Sequence, residues 1–260
     1  MANATPENIR RRHIERQKKR IRQMKRRRII TISLLISIVL LIVIFFTPLF
    51  DIRKIEVEGN SKITTAEIND CLDNTIGKNI FRYRTGTPIK NLKKIPYLNT
   101  AEINKSVFSC KLTVAITECI PAAIIEVGEK KVIIDSSLKV LEVVDQTDLN
   151  LPVITDITLL DIKPGSKITL QNEETLNIIS LAIPVFEKEG LLEGVQYISF
   201  KDTENITFNY QDRLDVICGD SLEFEKKIKL FNQAINTTTL TENSRGTIDL
   251  SVLGQAVYTP

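Results

Sequence analysis

From Ile29 to Phe46 eighteen consecutive residues carry no charge, and Thr47, Pro48, Leu49 and Phe50 carry the run to twenty-two before Asp51. At ~1.5 Å of rise per residue a helix over that stretch is ~33 Å long, against a hydrocarbon core of ~30 Å. Its polar side chains, Thr31, Ser33, Ser37 and Thr47, have hydroxyls that can bond back to carbonyls of the same helix. The pattern predicts a spanning helix over 29–50. A cleaved leader is disfavoured, because the charged flank is twenty-eight residues long and no small-x-small site follows the run.

After Asp51 the period changes. Ile55 and Val57 alternate with Glu56 and Glu58 up to Gly59-Asn60, which predicts a half-buried strand and its exit. Thr64-Thr65-Ala66-Glu67 fits a capping box, with Ile68, Leu72 and Ile76 four apart and Gly77 where the helix is expected to stop. Thr87-Pro88 opens a second helix through Leu92 and Ile95, and Pro96 ends it. Ala101 and Ile103 form a short strand, and Leu112, Val114 and Ile116 alternate in a longer one. The predicted order for 51–120 is β-α-α-β-β.

Residues 121–260 read as a larger mixed β domain with two helices. Strands are expected at Ala123–Val127, Lys131–Asp135, Val140–Val143, Val195–Phe200, Asn205–Tyr210 and Arg213–Cys218, with Gln211-Asp212 as a hairpin turn. One helix is expected over Asn172–Glu189, where Pro184 should kink or shorten it. Ser221 is expected to cap a second, whose stripe is Leu222, Ile228, Phe231 and Ile235. Gly246 introduces a last strand, Thr247–Ser251. The fold class is α+β.

Charge divides the chain. Residues 1–28 hold twelve Lys or Arg against Glu7 and Glu15, net +10, which leaves 23 Lys and Arg against 30 Asp and Glu, net −7, for the remainder. A basic flank stays in the cytoplasm, so Arg20, Arg22, Lys25, Arg26, Arg27 and Arg28 are expected to set the topology, with the later domains outside. The basic tail abuts the span and has no aromatic residue to stack on a base, which argues for a membrane contact and against nucleic acid.

Candidate chemistry is sparse. The single histidine, His13, lies in the tail, so the outer part has no imidazole for acid–base work or for metal. The four cysteines, Cys71, Cys110, Cys119 and Cys218, show no Cys-x-x-Cys spacing. With Cys110 and Cys119 read on one strand, their α-carbons would be ~30 Å apart, too far for a disulfide. Ser136-Ser137-Leu138-Lys139 matches Ser-x-x-Lys, but in a predicted turn and without its companion motifs. No catalytic residue, metal site or cofactor is expected.

The residues support a family resemblance. The basic tail, the span and "FDIRKIEVEGNSKITTAEI" resemble the FtsQ/DivIB cell-division proteins, whose first outer domain is a POTRA domain. "KKIPYLNTAEINKSVFSCKLTVAITECIPAA" is similar to that family's Ile-Pro-aromatic element and Glu-x-x-Pro-x-Ala exit, here Ile95, Pro96, Tyr97, Glu118, Pro121 and Ala123. The chain departs from the pattern at Phe108-Ser109, at Cys119 and at Leu138, where the family often has aromatic-Pro, a basic residue and glycine. The resemblance implies a non-enzymatic single-pass protein at the division septum. Its implied partners are bitopic coiled-coil division proteins of the FtsL and FtsB/DivIC types and the septal peptidoglycan synthase complex. A POTRA component of protein secretion or outer-membrane assembly is the alternative, disfavoured by the single copy of the domain and by the lack of serial ten-residue strands.

The partner surface is expected at the last strand. Thr247–Ser251, with Ile248, Leu250 and Ser251, followed by Val252, Leu253, Gly254, Val257 and Tyr258, reads as the edge of the second domain's sheet, and an edge offers unpaired backbone groups to an incoming strand. Four or five such bonds at ~1 kcal/mol net fall short of the ~8 kcal/mol of micromolar binding. Leu253 and Tyr258 are expected to add to them, with Lys226 and Lys229 attracting acidic partner residues; the alternative is a capping strand whose apolar tail folds back on its own core.

Overall fold

The computed structural model describes residues 6–72, 74–237 and 243–260, with side chains from Arg22 onward. Helix α1 (Pro6–Phe46) joins the basic flank to the apolar run without a break. Within it Arg22–Phe46 is long and apolar enough to cross a membrane. The helix stops four residues before the expected end, because Pro48 has no N–H to continue the ladder; Thr47 closes the last turn on Val43 O, and Pro48–Phe50 is a single 3-10 turn.

Next come β1 (Lys54–Glu58), α2 (Thr65–Cys71), α3 (Gly86–Leu92), β2 (Leu98–Ser106) and β3 (Lys111–Glu118), in the predicted β-α-α-β-β order. The three strands form one sheet in the order β1-β3-β2. The capping box is present: Thr64 Oγ1 accepts the N–H of Glu67, and the Glu67 carboxylate accepts the N–H of Thr64. Helix α2 nevertheless ends at Cys71, short of the expected Gly77, and Ile76 is 65% exposed. Asn74 turns the chain with a left-handed φ of 51°. The segment beyond it runs beside Ile52, whose N–H and C=O pair with Lys78 O and Gly77 N.

The chain divides into two compact units. The first holds the described residues of Met1–Glu56, Asp73–Thr85 and Ile103–Val114. Its core is Ile52, Ile80, Tyr83 and Leu112, with Phe50, Ile103 and Val107 packed against them.

The second holds the described residues of Val57–Leu72, Gly86–Glu102 and Ala115–Pro260. Its further strands are β4 (Pro121–Val127), β5 (Lys130–Asp135), β6 (Val140–Val144), β7 (Val153–Thr155), β8 (Leu159–Asp161), β9 (Thr169–Leu170), β10 (Val195–Ser199), β11 (Ile206–Tyr210), β12 (Leu214–Gly219), β13 (Gly246–Asp249) and β14 (Val257–Thr259). Nine of them form one mixed sheet in the order β14-β13-β12-β11-β10-β7-β4-β5-β6, and β8 pairs with β9. The expected turn at Gln211-Asp212 is present within a three-residue connection that Arg213 completes: both residues are left-handed, φ 55° and 53°, and Arg213 N–H donates to Tyr210 O.

Helices α4 (Glu173–Lys188) and α5 (Phe224–Ile235) cover one face of this sheet. Phe208 of β11 makes edge-on ring contacts with Phe186 of α4 at 5.0 Å and with Phe231 of α5 at 5.1 Å, so both helices lie on the Phe208 side. Asn172, expected as the first residue of this helix, is instead its N-cap, its side chain accepting from Glu174 N–H and Thr175 N–H. Pro184 does not shorten it: the carbonyl that loses its donor belongs to exposed Ser180, where water can take it. Ser221 is not the cap of α5, which begins after left-handed Glu223. Ser221 O closes a turn on Phe224 N instead, leaving Leu222 69% exposed and off the buried stripe.

Candidate partner-binding edge

The expectation that 247–251 forms the sheet edge is corrected by the structure. Strand β13 pairs in parallel with β12 on one side and antiparallel with β14 on the other, through Thr247–Thr259, Ile248–Tyr258 and Asp249–Val257. Among the described residues β14 is the edge at this end of the sheet, β6 being the edge at the other. The sequence reading missed this strand because it is three residues long; the signal was the β-favouring run Val257-Tyr258-Thr259 after a turn at Gly254. The turn is held locally: Asp249 Oδ1 accepts the N–H of Ser251 at 2.8 Å, Gln255 N–H donates to Val252 O, and Gly254 takes φ 77°. The Ser251 hydroxyl and N–H both hold the Asp249 carboxyl below its ordinary range.

The predicted site residues therefore separate. Ile248 and Leu250 are 1% and 0% exposed and belong to the core. Ser251, Val252, Leu253, Gly254 and Tyr258 are exposed, with Val252 at 57% and Leu253 at 53%. Directly paired residues of an antiparallel ladder point to the same face. Tyr258 therefore points to the side of Ile248 and of α5, where its hydroxyl donates to Arg245 O at 2.7 Å. Val257 and Thr259 point to the open face. Lys226 is exposed on α5 and paired with Glu223 at 2.6 Å, and Lys229 is exposed.

Three strand residues offer at most a few outward bonds, worth ~3 kcal/mol together. Micromolar affinity needs ~8 kcal/mol. Covering the exposed apolar surface of Val252, Leu253, Val257 and Tyr258 at ~25 cal/mol per Å² is what can supply the difference.

A second arrangement fixes the loop after β1. Both oxygens of Glu118 are used, Oε1 accepting from Ser61 and Ile63 N–H at 2.8 Å each and Oε2 from Lys62 N–H at 2.9 Å. Burial pushes this carboxyl up, but the three N–H donors outweigh it and hold the group below its usual range. Lys62 Nζ reaches Glu142 Oε2 at 3.0 Å and the Tyr97 hydroxyl, which itself donates to Glu142 at 2.8 Å. At Ser136–Lys139 the chain makes the predicted turn. Asp135 Oδ1 accepts the N–H groups of Ser137 and Lys139, and Lys139 Nζ donates to Leu98 O at 2.7 Å.

Of the predicted topology determinants, Arg22, Lys25, Arg26, Arg27 and Arg28 are exposed along α1 just before Ile29. The side chain of Arg20 lies outside the described residues.

Residues 50–118 match the POTRA domain, FtsQ-type. The chain is 27% identical over 171 residues to the cell division protein FtsQ of Syntrophotalea carbinolica, covering 64% of this chain and 58% of that protein. It is 26% identical over 215 residues to the cell division protein DivIB of Staphylococcus aureus, covering 81% and 46% respectively. With FtsQ of Corynebacterium glutamicum the identity is 22% over 181 residues, covering 69% and 76%. The chain thus spans about half the length of the first two of these relatives.

Proposed function

We propose that the chain belongs to the FtsQ/DivIB family of cell-division proteins, a reading supported by the FtsQ-type POTRA match over 50–118 and by the similarity to FtsQ and DivIB proteins. In this reading it is a non-enzymatic single-pass scaffold at the division septum. It holds bitopic coiled-coil division proteins of the FtsL and FtsB/DivIC types and through them regulates septal peptidoglycan synthesis. Residues 1–28 form the cytoplasmic tail and the apolar part of α1, 29–46, the span, while the POTRA-like domain, 51–120, and the β domain, 121–260, lie outside.

The observation that carries the partner site is the open strand β14, flanked by exposed Val252, Leu253, Val257 and Tyr258. A partner segment adds a tenth strand beside β14 and covers these side chains. Exposed Lys226 and Lys229, on a helix packed on the Tyr258 side, favour acidic residues in that segment. The basic flank at 22–28 supports an N-terminus in the cytoplasm.

The test uses the full chain fused at its N-terminus to a fluorescent protein. Midcell fluorescence and co-purification of single-span coiled-coil proteins are expected. Leu253→Glu combined with Tyr258→Ala should abolish the co-purification at unchanged thermal stability. Retention of the same partners by that variant sinks the edge as the binding surface. Diffuse membrane fluorescence with secretory clients in the eluate sinks the division reading.

A further inference from the structure

We propose that the loop 76–84 is a membrane-interface anchor that binds the phosphate headgroup of an anionic phospholipid at the end of α1. The inference rests on α1 spanning the membrane; it does not depend on which side the loop faces. Everything it uses lies in the first compact unit.

The loop is pinned at a defined depth. Asn79 Nδ2 donates to Ile44 O at 2.9 Å, taking one of the carbonyls that a helix leaves unpaired in its last turn. Ile44 lies two residues before the helix ends, so Asn79 sits where the apolar run meets water. The ring of Phe81 lies 6.1 Å from that of Phe45 and 5.2 Å from that of Phe50. Phe81 is still 42% exposed and Ile76 65% exposed. In water two large apolar side chains on one short loop are unfavourably placed. At a bilayer surface an aromatic ring and an aliphatic neighbour are stabilised.

Charge identifies the ligand. Lys78 and Arg82 border a cleft of about 430 Å³ whose walls include Phe46, Asp51, Asn79 and Tyr83, within the ~300–1,000 Å³ of small-molecule sites. Among the described residues neither cation forms an ion pair, and Arg82 lies 5.4 Å from the centroid of the Phe46 ring, on the last residue of α1. Asp51 offsets one of the two positive charges, so the cleft carries a net of one. A guanidinium and an ammonium at headgroup depth suit a phosphodiester whose acyl chains run down beside Phe45 and Phe46.

The chain contains no tryptophan, so Phe81→Trp introduces a unique fluorophore into the full-length protein. It is reconstituted into vesicles containing either brominated phosphatidylcholine or, at equal mole fraction, brominated phosphatidylglycerol in unlabelled phosphatidylcholine. Quenching by the anionic lipid is expected to correspond to an enrichment of about fivefold, the worth of about one net charge at a membrane surface. Adding Lys78→Gln and Arg82→Gln should bring the two lipids to parity while the melting temperature stays the same. Equal quenching by both lipids in the parent protein overturns the headgroup site. Loss of the preference on adding inorganic phosphate, at constant ionic strength, overturns the lipid as the ligand in favour of free phosphate. Absence of quenching by either lipid removes the loop from the bilayer and overturns the anchor, while α1 spanning is read separately from the retention of the protein in the vesicles after alkaline washing.

Discussion

Ile248 and Tyr258 face each other across the β13–β14 ladder, yet the first is 1% exposed and the second 38%. One pair thus marks where the core ends and the available surface begins. Ile248→Ala should destabilise the protein by ~2–5 kcal/mol, the cost of truncating a buried aliphatic side chain, whether or not a partner is present. Tyr258→Ala should change stability by less than ~1 kcal/mol, since only one hydrogen bond to Arg245 O is lost from an exposed group, but should weaken partner binding about tenfold or more. Urea unfolding of each variant beside a binding titration separates the two. If Tyr258→Ala costs stability as Ile248→Ala does and leaves affinity alone, β14 is only a cover for β13.

Glu118 should make stability pH-dependent in a defined window. Its carboxyl is held below the ordinary glutamate range in the folded protein, so its contribution is fully present above the unfolded pKa and is lost as pH falls through the folded one. Glu118→Gln should cost ~1–3 kcal/mol at neutral pH, the range for hydrogen bonds to a charged acceptor. The difference between the two proteins should begin to narrow as the pH falls through the unfolded carboxyl's value of ~4.3 and vanish only below the lower pKa of the folded protein. A difference that stays constant from pH 7 to pH 3 would mean that the loop 61–63 is held by packing alone.

The sequence was most legible where a local pattern and the tertiary structure agree. The Thr64–Glu67 capping box, the alternation of Leu112, Val114 and Ile116, and the left-handed pair Gln211-Asp212 are short-range signals, and each is realised. Errors arose where a distant partner decides. The end of α2 is set by the return of 77–80 alongside Ile52, which the four-residue spacing of Ile68, Leu72 and Ile76 does not contain. The edge was misplaced by one strand because β14 has only three residues, and its existence depends on pairing with β13. The role of Glu118 is not visible in its local motif, since its three N–H donors lie more than fifty positions earlier in the chain.

Burial should silence two of the four cysteines. Burial, and then the hydrogen bond to Asp135, push the Cys119 thiol from 9.0 up to about 11. Burial alone pushes the Cys218 thiol up to about 12. Thiolate is the reactive form, so Cys119 should alkylate ~100-fold more slowly than the same residue in the unfolded chain, and Cys218 more slowly still. Maleimide labelling with and without urea, read by peptide mass, checks this. Rapid modification of native Cys218 would show that β12 opens on the labelling timescale.

Leu138 combines two opposing effects, and substitution can weigh them. It occupies the turn between β5 and β6 with φ 65°, a conformation that costs a branched side chain ~1–3 kcal/mol. Its side chain is nonetheless only 3% exposed and packed in the large core with Val140 and Ile168. Leu138→Gly relieves the backbone but removes the buried side chain, at ~2–5 kcal/mol, so a net destabilisation of ~1–3 kcal/mol is expected once the strain relief is subtracted. Leu138→Ala loses most of the same contacts and keeps the left-handed strain. Alanine should therefore be the less stable of the two variants by ~1 kcal/mol. Both variants keep the Asp135 carboxylate that accepts from Ser137 and Lys139, so the turn itself is preserved and the comparison isolates residue 138. Urea unfolding that finds the alanine variant equal to or more stable than the glycine one would mean that the backbone at 138 relaxes out of the left-handed region once the leucine side chain no longer holds it there.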